Sequence, residues 1–121
     1  MTTTDELILW FTESENASRE RAATLRADSR GDDAVLELVR GNIYRMFGAM
    51  FQVAARRSAN DTAETVPLFL SRAEPFPAQW ETSLEKAETH GDAPTAAVEQ
   101  LKLDVWAEIF ARVDELRRVA L

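Results

Sequence analysis

An all-α fold, an up-down four-helix bundle whose third arm is split in two, is what this sequence predicts. Three observations carry the expectation. Apolar residues recur at helical spacing in several long segments, period-2 alternation is absent over any useful length, and glycine, proline and aspartate fall together at short intervals between those segments. The chain has 121 residues, enough for one domain (1–121) with a single core and no staples. Apolar residues make up 45% and charged residues 29%, the balance of a globular chain rather than a disordered one.

The first helix is expected from about Thr4 to Ser29. Thr3-Thr4-Asp5-Glu6 has the S/T-x-x-E form of a capping box, and two acids suit the positive end of the helix dipole. Leu7 to Phe11 are apolar all round, whereas the second half is sparse, with Ala17, Ala22 and Leu25 among charges. One end therefore reads as docked and the other as lying on the surface.

Helix two, about Asp33 to Ser58, has the clearest periodicity. Leu36, Val39, Ile43, Met46, Met50 and Val53 form a heptad seam, widened by Phe47, Phe51 and Ala54. It reads as the central helix. Arg30-Gly31-Asp32-Asp33 and His90-Gly91-Asp92 each read as a left-handed C′ glycine followed by an Asp cap. Pro67 fits a short third helix only if that helix starts near Thr65. Glu74-Pro75-Phe76-Pro77 should end it, since residues before proline are pushed from the α region. A helix over about 77–90, striped with Trp80, Leu84 and Ala87, completes the split arm. The last helix, Asp92 to almost Leu121, carries Val98, Leu101, Val105, Ile109, Val113 and Leu116.

Several chemistries are excluded by counting. Zero cysteines and one histidine, His90, leave no disulfide, no thiolate site, no three-His zinc and no pair of Glu-x-x-His motifs for a di-iron bundle. The sequence points to no cofactor. Ser83-Leu84-Glu85-Lys86 matches Ser-x-x-Lys, but the companion elements of the enzymes that use it are missing. No Gly-rich phosphate loop is present. Fourteen basic against 21 acidic residues give a net charge of −7, which argues against nucleic acid and anionic membrane as partners. Arg56-Arg57 and Arg117-Arg118 are adjacent basic pairs, each suited to a helix C-terminus. A short apolar run and no basic n-region predict a cytoplasmic chain without a membrane span. Arginine-rich, lysine-poor usage reads as that of a GC-rich bacterial gene.

Two features exceed what a bundle needs. Leu103, Trp106 and Phe110 form a ridge about 100° from the main stripe of the last helix, flanked by Glu99, Asp114 and Arg117. Such a ridge packs between two neighbours or meets a second chain, and interface cores favour Trp and Phe. Ala34, Gly41, Gly48 and Ala55 recur every seventh residue. Since glycine costs about 1 kcal/mol against alanine in a helix, close approach of another helix or an emptied ligand groove is expected there. Arg40, Asn42, Tyr44 and Arg45 border that groove. The functional expectation is a non-catalytic adaptor or regulator acting through protein contacts, as a homodimer through the ridge. The alternative is a ligand-binding or enzymatic bundle with its pocket beside Gly41 and Gly48.

Overall fold

The computed structural model describes residues 3–120. It contains five helices: α1 (Thr3–Ala27), α2 (Gly31–Arg57), α3 (Thr62–Ala73), α4 (Pro75–Thr89) and α5 (Ala93–Ala120), with no strand among the described residues. Helices α3 and α4 are two pieces of one arm, bent by 32°, so the fold is a four-helix bundle with a split third arm. The most extensive packing is α1 on α2, followed by α4 on α5, while α2 also meets α3 and α5. The bundle is thus two long hairpins joined through α3.

Each reversal of direction uses the same device. The Arg30 N–H reaches the Leu25 carbonyl (2.8 Å), the Asn60 N–H that of Ala55 (2.8 Å), and the Asp92 N–H that of Ala87 (2.8 Å). These are the six-to-one bonds of Schellman turns, which need a left-handed residue just before the donor. Ser29 (φ 60°), Ala59 (φ 51°) and Gly91 (φ 68°) are those residues. Gly31 therefore does not play the C′ role expected of it: Ser29 does, and Gly31 opens α2 with Arg30 before it. Of the two expected Asp caps only that of Asp92 forms, since α2 has Arg30 at its N-cap and no side-chain cap; Asp61 supplies a further one, to α3. The Asp61 carboxylate accepts from the Ala63 N–H (3.1 Å), and that of Asp92 from the Thr95 N–H (3.2 Å) and hydroxyl (2.7 Å). Those bonds hold the Asp92 carboxyl below the ordinary range, its side-chain bond first.

Three boundaries differ from expectation. Because Asp61 supplies a cap, α3 starts at Thr62 and Pro67 lies inside it; Pro67 and Ala63, whose carbonyl loses its donor, are both exposed, so that carbonyl is open to solvent rather than buried. Glu74 stays in the α region (φ −53°, ψ −36°) despite preceding Pro75, and the arm bends there without unwinding. Thr3 is already helical, so the capping position before α1, like Leu121 at the far end, lies outside the described residues.

The core is an aromatic cluster around Phe47. Its ring meets Phe69 of α3 (6.2 Å), Phe76 and Trp80 of α4 (6.1 and 5.8 Å) and Trp106 of α5 (5.0 Å). Phe51 joins Phe11 and Phe69, and Val105, Ile109 and Val113 are fully buried. Helix α2 is accordingly rotated from the orientation its seam suggests. Phe47, Phe51 and Ala54, expected to widen the buried face, lie at its centre, whereas Leu36, Val39, Met46 and Met50 are half-buried and Val53 is exposed. Aromatic rings fill the space between four helices better than aliphatic side chains of the seam do.

Candidate interaction surface

The glycine stripe of α2 is occupied by α1. A Cβ built on Gly41 would lie 3.5 Å from the Ser18 Cβ, and one on Gly48 only 3.0 Å from the Phe11 Cβ. Ala34 and Ala55, next along the stripe, are also buried. Small residues here let two helix backbones approach closely, which gives the glycines their physical reason. What remains between the helices is a shallow, open groove of about 180 Å³, below the several hundred cubic ångströms of an ordinary ligand site. Of the residues expected to border a pocket, Tyr44, Arg45 and Gly48 line this groove. Gly41 is buried under Ser18, Asn42 is exposed outside the groove, and Arg40 pairs with Glu37 at 3.5 Å.

Tyr44 anchors the junction of α1, α2 and α5. Its hydroxyl donates to the Glu108 carboxylate (2.8 Å), its ring stands edge-on to Trp10 (5.7 Å), and Arg112 lies over the other aromatic, Trp10, at 4.8 Å. Burial, then the Glu108 hydrogen bond and charge, pushes the phenol up to about 12, against a smaller lowering by Arg40. These contacts lock the hydroxyl into structure and leave no proton poised for transfer near neutral pH.

The ridge of α5 divides. Leu103 and Trp106 are partly buried against the core, with Trp106 within 6.3 Å of Phe69 as well as 5.0 Å from Phe47. Only Phe110, its ring tilted at 51° to Trp106 and 6.0 Å from it, is exposed, at 40%. Glu99 is not part of a solvated rim. It is nine-tenths buried, pairs with Lys102 (3.1 Å), which sits over Trp80 (5.7 Å), and its second oxygen has no hydrogen-bond partner.

Ser83, Lys86 and His90 share a shallow groove at the α4–α5 turn, with Asp92 and Thr95. No hydrogen bond joins Ser83 to Lys86; the His90 Nδ1 is 2.8 Å from the Lys86 backbone carbonyl, and Asp92 is engaged as a cap. Among the described residues Ser83 thus makes no hydrogen bond to a base that would activate it. Among the described residues no three His, Asp or Glu side chains converge on a metal position, and no helix is long and apolar enough to cross a membrane.

The outer face of α2 is the surface that the bundle covers least, although Ile43 of the seam is buried in the core and Val39, Met46 and Met50 pack against it. Val35 is 54% and Val53 41% exposed, with Val39, Met46 and Met50 half-buried between them and Asn42 and Ala49 exposed alongside. On a helical wheel Val35, Val39, Asn42, Met46, Ala49 and Val53 follow 4-3-4-3-4 spacing, so they share one face. Of these, sequence reasoning placed Val39, Met46 and Val53 inside, set Asn42 beside a pocket, and did not single out Val35 or Ala49. The signal available was that α2 has two apolar faces, one aromatic and one aliphatic, where a single core needs one.

Comparison of the chain with family models, curated proteins and solved structures finds no match.

Proposed function

We propose that the chain is a cytoplasmic, non-catalytic helical bundle that acts by protein–protein contact, as an adaptor or regulator, with the outer face of α2 as its contact surface. One observation carries the reading: Val35 and Val53 stand exposed on the outer face of a central helix, on either side of Val39 and Met46, which are only partly buried, while the aromatic face of that helix is fully used. Bands of this kind, flanked by charge, are how helices meet other chains. The ligand reading has less support, because α1 fills the glycine stripe and the groove beside it is small. Leu103 and Trp106 serve the core, which leaves Phe110 as an isolated exposed ring rather than a patch.

A photo-crosslinking amino acid placed at Val53, with Thr82 on α4 as control, tests the surface in cells of the source organism. Protein adducts at Val53 and none at Thr82 are expected. Absence of any adduct at both Val53 and Val35 overturns the reading.

A further inference from the structure

We infer that the occupant of the α2 face is a second copy of this chain, packed antiparallel across a two-fold axis at the level of Tyr44 and Arg45. The inference rests on the contact surface proposed above and names its partner. Its basis is charge complementarity along one face of one helix. Helix α2 begins with Asp32 and Asp33 and ends with Arg56 and Arg57. Asp33 is held by Arg30, but among the described residues neither Asp32 nor Arg57 takes part in an ion pair, and both are exposed. At about 100° per residue, Asp32 and Arg57 fall within about 20° of Val39, so they close the two ends of the open band rather than lying behind it.

The band is close to palindromic. The midpoint between Asp32 and Arg57 lies between Tyr44 and Arg45, and the midpoint between Val35 and Val53 is Tyr44. Reversing the helix brings Val35 and Val39 beside Val53 and Met50 of the second copy, with Asn42 beside Met46 near the centre. The same operation sets Asp32 against Arg57 at both ends, as a two-fold interface requires. A parallel pairing would set Asp32 against Asp32 and Arg57 against Arg57, which is repulsive twice. Helix dipoles also favour the antiparallel arrangement.

Helix α2 has 27 residues and is about 40 Å long. A strip of that length and about 10 Å wide offers roughly 400 Å² per copy, about half that of a standard specific interface and in the range of weak, transient contacts. The dimer is thus reversible and sensitive to salt, since its terminal ion pairs are exposed.

Charge reversal gives the test. Sedimentation velocity over a concentration series should show a dimer for the parent chain, weakened about tenfold or more by either Asp32→Arg or Arg57→Asp. Each single variant places like charges at both ends of its own pairing. Mixing the two variants restores opposite charges at both ends, so the mixture should form a heterodimer at concentrations where each alone is a monomer. Circular dichroism of each variant confirms that the bundle is intact. A parent chain that stays monomeric at the highest concentration overturns self-association, while crosslinked adducts of a different protein at Val53 would still uphold the contact surface. A dimer indifferent to both reversals, or a mixture that fails to recover, overturns the antiparallel α2 arrangement.

Discussion

Gly41 and Gly48 stand one heptad apart on the same stripe, yet their surroundings set opposite outcomes for the same substitution. At Gly41 a new methyl would reach Ser18 at an ordinary contact distance of 3.5 Å. The helix-propensity gain of alanine then dominates, and Gly41→Ala should stabilise the bundle by about 0.5–1 kcal/mol. At Gly48 the methyl would press on the Phe11 Cβ at 3.0 Å, and Phe11 is held by Trp10 and Phe51. Overpacking of that kind costs about 1–3 kcal/mol and outweighs the same gain, so Gly48→Ala should destabilise. Denaturant unfolding of the two variants compares them directly.

Tyr44 allows a second residue-scale measurement, because it is the chain's single tyrosine. Its phenol lies at about 12 in the folded protein against an ordinary value of 10.0. The folded state holds this proton more tightly than the unfolded state. The associated stability is therefore complete below pH 10 and is lost as pH rises towards 12, on the order of 2 kcal/mol in all. Phenolate absorbance should rise near pH 12 in the folded protein and near pH 10 in denaturant. A folded-state midpoint at 10 would mean that the Glu108 bond and the burial do not act on the phenol in solution.

At the scale of elements, the three Schellman turns are one structure built from unequal residues. Gly91 takes its left-handed conformation freely, whereas Ala59 at φ 51° bears the Cβ penalty. Ala59→Gly should stabilise by about 1 kcal/mol, and Gly91→Ala should destabilise by about as much. Thermal melts of both variants decide this, and equal melting temperatures would contradict the turn geometry. The glycine at Gly31 looked like such a turn in the sequence because Arg-Gly-Asp resembles His-Gly-Asp. The difference is one of register: α1 ends two residues earlier, so Ser29 reaches the left-handed position first. Sequence alone resolves the existence of a turn more readily than the residue that bears its strain.

For the whole molecule, Phe47 is where the two hairpins and the split arm meet, since its ring touches α3, α4 and α5 from α2. Phe47→Ala should cost about 3–5 kcal/mol, a large share of a domain's stability, and lower all helical signal in one transition. Trp106 belongs to the same cluster. Trp106→Ala should accordingly lower stability by a comparable amount in equilibrium unfolding, rather than act through oligomeric state.

The sequence by itself determined the helices, their number, the split arm at Glu74–Pro77 and the side chains available for chemistry. Those properties follow from local rules, namely periodicity, capping and residue counts, which need no knowledge of neighbours. Tertiary structure alone decided which face of α2 turns inward, which helix fills the Gly41–Gly48 stripe and whether Trp106 faces the core. A helix with apolar residues around much of its circumference satisfies the same periodicity in several rotations. The choice among them is made by the volume that the other helices leave to fill: four aromatic rings meeting Phe47 close that space, and Val35 and Val53 are left for the outside.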